Sequence, residues 1–79
     1  MNKSALKAAF TSLSFRARLH GAMLSAVKKD YQFYVKNRKG DNFLRVDYIR
    51  TNTKNYFRFL DKSGKIIPNS TIYSFLRAA

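Results

Sequence analysis

Between Tyr31 and Ile67 the apolar residues recur at every second position, and three interruptions of equal length lock them into one register. Tyr31–Asn37, Phe43–Arg50, Asn55–Leu60 and Lys65–Ile67 are rich in aromatic and β-branched residues. Arg38–Asp41, Thr51–Lys54 and Asp61–Gly64 separate them. Each separator has four residues, a common hairpin-loop length. Closing the first loop with Asn37 opposite Asn42 sets Val35 opposite Leu44, Phe33 opposite Val46 and Tyr31 opposite Tyr48. Closing the second with Arg50 opposite Asn55 sets Tyr48 opposite Phe57 and Val46 opposite Phe59. The third sets Phe59 opposite Ile66. All three loops bring Tyr31, Phe33, Val35, Leu44, Val46, Tyr48, Phe57, Phe59 and Ile66 to one face, and a slip of one residue would scatter the set. The pattern predicts an antiparallel meander of three or four strands with one apolar side.

The segment before the meander supplies a cover for that side. Ser4–Phe10 reads as a short helical turn, and Thr11, Ser12 and Ser14 interrupt it with hydroxyl side chains suited to a helix N-cap. From Ser12 or Ser14 to Lys29 there is no Pro, and good helix formers dominate. Lys28 and Lys29 fall in the last turn, where cations complement the helix dipole. The pattern allows one helix over residues 4–29 or two. At 100° per residue, Leu13, Phe15, Ala17, Leu19, Ala22, Met23, Leu24, Ala26 and Val27 cover more than half the helix, leaving Ser14, Arg18, Gly21, Ser25, Lys28 and Lys29 as a polar strip. So wide an apolar face needs more than one sheet to cover it. The second cover is the N-terminal turn, the C-terminal segment or another subunit, and a homodimer or protein contact through Phe15, Leu19 and Met23 is one expectation. Pro68 stops the last strand, and Asn69 or Ser70 can cap a final helix with Ile72, Phe75 and Leu76 on one side.

The expected architecture is therefore α+β: an N-terminal helix on a meander of three to four strands, then a short C-terminal helix, in a single domain over residues 1–79. This order resembles the α-β-β-β-α order of double-stranded RNA-binding domains. The likeness is one of topology, since the final helix, Ser70–Ala79, lacks the basic cluster those domains place at its start. Three-stranded sheets that enter the DNA major groove in integrase arms and plant-type DNA-binding domains are similar in outline.

Charge narrows the function classes. Sixteen Lys and Arg stand against four Asp and no Glu, a formal +12 on 79 residues. Such a field concentrates polyanions and speeds their capture. Seven Phe, five Tyr and an apolar fraction of 46% argue against disorder. There is no Cys and one His, so no disulfide or metal staple is expected, and the composition fits a reducing, cytoplasmic or nucleoid-associated setting. No apolar run approaches the ~20 residues a membrane span needs. Catalysis is not expected either. Asp30, Asp41 and Asp61 lie at strand ends or turns, where Asp bonds to local backbone; Asp47 faces Arg58 across the ladder as a cross-strand pair; and His20 stands alone on the helix. No phosphate-binding glycine loop, dinucleotide loop or metal-ligand spacing is present, and no cofactor is implied.

The second face of the sheet carries the more specific signal. The same register puts Gln32, Tyr34 and Lys36 there from the first strand, Phe43, Arg45, Asp47 and Ile49 from the second, and Tyr56, Arg58 and Leu60 from the third. Rings interleaved with cations suit a surface that stacks bases and neutralises phosphates. The bland reading packs Phe43, Ile49, Tyr56 and Leu60 under the C-terminal helix, with Lys and Arg stems over them. Arg38 and Lys39 crown the first hairpin, Arg50 and Lys54 flank the second, and Lys62 and Lys65 the third. Asn and Thr lie alongside, a mixture typical of phosphate contacts. The expectation is a small nucleic-acid-binding protein, DNA ahead of RNA, using Tyr34, Lys36, Arg38, Lys39, Arg45, Arg50, Lys54, Tyr56 and Arg58. The rival is a small inhibitor or adaptor, of the size that phage and other mobile elements carry, docking on an acidic protein partner.

Overall fold

A computed structural model describes residues 3–29 and 31–78; Asp30 and Ala79, both included in the expectations above, lie outside the described residues. The elements are α1 (Lys3–Phe10), α2 (Leu13–Lys28), β1 (Gln32–Lys36), β2 (Asn42–Arg50), β3 (Asn55–Asp61), β4 (Ile66–Ile67) and α3 (Asn69–Ala78). The strands form one antiparallel sheet in the order β1-β2-β3-β4. The α+β expectation holds, with a second N-terminal helix and a fourth strand beyond the α-β-β-β-α order.

The N-terminal segment forms two helices because the chain turns at Thr11 and Ser12. The Thr11 hydroxyl donates to the Ala8 carbonyl at 2.7 Å and closes α1. Ser12 is extended (φ −86°, ψ 122°), and its Oγ accepts from the Phe15 amide at 3.2 Å, capping α2. That break lets α1 fold back against α2. Leu6, Phe10, Phe15, Leu19, Ala22, Ala26, Val35, Leu44, Val46, Phe59, Ile67 and Ile72 then bury as one cluster. A run of ring contacts ties the layers together: Phe10 on Phe15 (5.4 Å between centroids) and on Phe75 (5.6 Å), Phe15 on Phe43 (5.7 Å), and Phe59 on Tyr73 (6.2 Å). The Arg16 guanidinium adds a hydrogen bond to the Leu76 carbonyl at 3.3 Å.

All three helices therefore lie on one side of the sheet. Part of the apolar surface of α2 is covered from within the chain by α1 and α3, which corrects the expectation of an outside contact at Phe15, Leu19 and Met23 by burying the first two and partly burying the third. Phe15 and Leu19 are buried, 2% and 1% exposed, and Met23 packs against the same cluster. Leu13, Ala17 and Leu24, expected on the apolar side, are exposed. The bland reading of the second face is corrected as well. The α3 rings meet Phe59 and Phe10, so α3 packs on the helix side, and no helix of the described residues lies over the other side.

The register is as expected in the second hairpin and shifted at the other two. Arg50 pairs with Asn55, Tyr48 with Phe57, Asp47 with Arg58 and Val46 with Phe59. In the first hairpin Phe33–Val46 and Val35–Leu44 hold, but Lys36 pairs with Asn42 rather than lying beside Phe43. In the third, Phe59 pairs with Ile67 and Leu60 with Ile66, so Ile67 is buried and Ile66 is 58% exposed. Both departures have one cause. These loops close as Asn37 with Asp41 and Asp61 with Lys65, a turn followed by a glycine at positive φ (Gly40 +84°, Gly64 +87°), and hold three residues between the closing pair rather than four. In the first hairpin a bulge absorbs the difference by leaving Phe43 as the extra residue on β2. Phe43 turns onto Phe15, on the helix side, and drops out of the second face. Among the described residues no helix is long and apolar enough to cross a membrane.

Candidate nucleic-acid interface

The uncovered face of the sheet is ordered by the register into three rows. Tyr34, Arg45, Leu60 and Ile66 form the first, Gln32, Asp47 and Arg58 the second, and Ile49 and Tyr56 the third. Tyr34 and Tyr56 are 48% and 37% exposed, so much of each side chain faces solvent. Leu60 is buried although it lies on this face; its register neighbours Arg45 and Ile66 carry stems long enough to shield it. Two strand spacings and a four-residue step along the sheet separate the tyrosines by roughly 16 Å. They therefore form two platforms and cannot clamp one ring between them.

Asp47 organises the centre. It is a buried carboxylate, its side chain 7% exposed, on the central strand β2. Arg45, two residues earlier on the same face, donates Nε to Oδ1 at 3.0 Å and Nη2 to Oδ2 at 2.9 Å, a bidentate fork. Arg58, its partner across the ladder, donates Nη2 to Oδ2 at 2.9 Å. Hydrogen bonding to Asp47, and secondarily to Tyr34, raises the Arg45 pKa above its ordinary value. With its amide turned to satisfy both ends, the Gln32 side-chain oxygen accepts from Arg45 Nη1 at 3.1 Å. Arg45 is thus spent on protein partners. The Arg58 side chain is 37% exposed, and its buried Nε has no partner among the described residues.

The remaining expected contacts divide by strand parity and by hairpin. Lys54 stands over the Tyr56 ring at 5.3 Å, which places a cation and a platform side by side on the uncovered face. Arg50 does not join them, and this corrects its assignment as a rim contact. It shares parity with Val46 and Tyr48, so it turns to the helix side, where it lies over Tyr31 at 5.4 Å and Tyr48 at 5.2 Å. There it donates to the Val27 carbonyl at the C-terminal end of α2. Lys36 reaches the Gly40 carbonyl at 3.4 Å within its own hairpin. Arg38 and Lys39 belong elsewhere again. With Arg18 of α2 and Lys62 of the third hairpin they line a cleft between the N-terminal end of α2 and the first hairpin.

Arg18 and Lys62 were not among the expected site residues, although the sequence held a signal for Lys62. Asn37-Arg-Lys-Gly-Asp41 and Asp61-Lys-Ser-Gly-Lys65 repeat one loop form, and the first and third hairpins of a meander share one end of the sheet. In each loop the leading side chain accepts from backbone amides two and four residues on: Asn37 Oδ1 from Lys39 (2.9 Å) and Asp41 (3.0 Å), Asp61 Oδ1 from Ser63 (2.9 Å) and Lys65 (3.0 Å). The Ser63 hydroxyl, at 2.6 Å, and the Lys65 amide hold the Asp61 carboxyl well below the usual carboxylate range. Comparison with known protein families, curated proteins and solved structures finds no match for this chain.

Proposed function

We propose that this protein binds nucleic acid without catalysis, laying unpaired bases on the uncovered face of its sheet while loop cations take the phosphates. One observation carries the reading. A sheet face in a chain this small is left without a cover, and its exposed groups are two tyrosine platforms, a lysine over one of them and a partly free guanidinium. The formal +12 supplies attraction for any strand, and the platforms give unpaired bases something a duplex cannot use. The test is anisotropy with labelled single-stranded DNA, single-stranded RNA and duplex DNA over a range of KCl. Tyr34→Ala and Tyr56→Ala should each cost ~1–3 kcal/mol on single strands and much less on duplex. Equal losses on both would remove base stacking from the account.

The adaptor reading has one specific observation in its favour. Ile66 is 58% exposed beside Leu60 at the β4 edge, an apolar spot that phosphate binding does not need. Affinity for generic strands that vanishes by physiological salt, with Tyr34 and Tyr56 indifferent, would turn the case to an acidic protein partner.

A further inference from the structure

The cations of this protein differ in what they are already doing. Arg16, Arg45, Arg50 and Arg58 all donate to carbonyls or a carboxylate of the chain itself. Arg18, Arg38, Lys39 and Lys62 are exposed, and none of these four side chains has a hydrogen-bond or ion-pair partner among the described residues. Three separate elements bring the four together around one cleft of about 590 Å³, with Asp41 as the single carboxylate in its lining. Four cations against one carboxylate among the described lining residues give the cleft a net positive charge. Part of the wall is apolar, formed by Phe43, which the bulge turns to this side, and by the Ala8 side of α1.

We infer that the cleft holds a phosphate group together with the nucleoside that carries it, and so anchors a strand whose other bases lie on the sheet. This rests on the nucleic-acid reading above. The volume falls within the range of small-molecule sites, and an apolar wall beneath a few convergent polar groups is their usual composition. Arg18 and Arg38 offer planar forks and Lys39 and Lys62 point charges, a mixture matched to the oxygens of a phosphate ester. The Thr11 and Ser12 hydroxyls line the same cleft. The path is also continuous. Lys36 closes β1, and Asn37–Lys39 follow directly as the cleft's border, so a strand on the sheet reaches the cleft around this hairpin.

The test uses the full chain and a labelled single-stranded DNA 12-mer in two forms, with and without a 5′-phosphate. Arg18→Glu with Lys62→Glu is compared with Lys28→Glu and Lys29→Glu at the far end of α2, which alters net charge equally. Melting curves confirm that each variant folds. The cleft pair should weaken binding by about 30-fold or more and lower the salt slope by about one to two units, the control pair by about threefold. A loss confined to the phosphorylated strand assigns the cleft to a strand end; a loss on both assigns it to an internal phosphate. Equal weakening by the two pairs would overturn the cleft and leave nucleic-acid binding standing as a property of net charge. A parent protein that binds neither strand would overturn both readings together.

Discussion

Asp47 is a carboxylate at the centre of a surface proposed to meet an anion, and its geometry explains why it is there. Two guanidinium groups on neighbouring strands would repel each other across the ladder without it, and its two oxygens satisfy three of their donors. Asp47→Asn should keep the fold and lower stability by about 1–2 kcal/mol, a discounted value because Arg45 and Arg58 are both partly solvated. The freed guanidinium groups should tighten binding to single strands and steepen its salt slope by about one unit. Unchanged melting together with weaker binding would show that the carboxylate does not restrain the arginines. Asp61 contributes differently, through the loop. Its carboxyl is depressed below the unfolded value of 3.8, chiefly by the Ser63 hydroxyl and then the Lys65 amide. Its stabilisation is therefore complete above that value and is lost as the pH falls through it toward the lower folded value. Asp61→Asn should melt below the parent at neutral pH, and the gap should narrow between about pH 5 and about pH 2.

The loops decide how well the elements could be foreseen. Alternation of apolar residues is enough for the meander, and the middle hairpin pairs as counted because the Thr51 amide bonds to the Lys54 carbonyl at 3.1 Å with two residues between them, an even loop that keeps Arg50 opposite Asn55. The outer hairpins contain Gly40 and Gly64, whose positive φ lets a tighter three-residue loop form. Counting separators cannot show this, but glycine as the third residue of both loops is the mark of it. One residue of error moved Ile66 off the core face and Phe43 onto the helix side. Strand parity is legible for Arg50 as well, since it shares the parity of Val46 and Tyr48 and so faces away from the platforms. The cover of the sheet was legible only in part, because an apolar helix face does not reveal which segment lies on it. The register itself is open to a direct check. Ile67→Lys should destabilise by about 2–4 kcal/mol, since it places a charge in the core without a partner. Ile66→Lys should stay within about 0.5 kcal/mol of the parent. Equal melting of the two variants would overturn the three-residue loop.

At the scale of the whole molecule the same charge acts against folding and for binding. A formal +12 on 79 residues repels itself most in the compact state, where the cations are drawn together. Self-pairing relieves only part of this, because sixteen Lys and Arg face four Asp, and Asp47 alone takes two of the arginines. Salt should therefore stabilise the free protein, as screening over ~8 Å at physiological ionic strength reaches between the cations of neighbouring loops. Raising NaCl from about 20 mM to about 300 mM should lift Tm by roughly 4–8 °C, the shift that about 1 kcal/mol gives a domain of this size. The repulsion should be concentrated where the fold gathers unpaired cations. Arg38→Gln with Lys39→Gln should thus raise Tm at low salt and shrink the gain from NaCl, whereas Arg45→Gln should lower Tm by stripping a partner from Asp47. A polyanion bound at these cations should have the opposite salt dependence, raising Tm most when salt is low and its affinity highest. Melting curves with and without single-stranded DNA should therefore converge as NaCl rises, the free protein gaining stability while the complex loses it. Curves that remain parallel at every salt concentration would mean that the ligand is held by contacts other than charge.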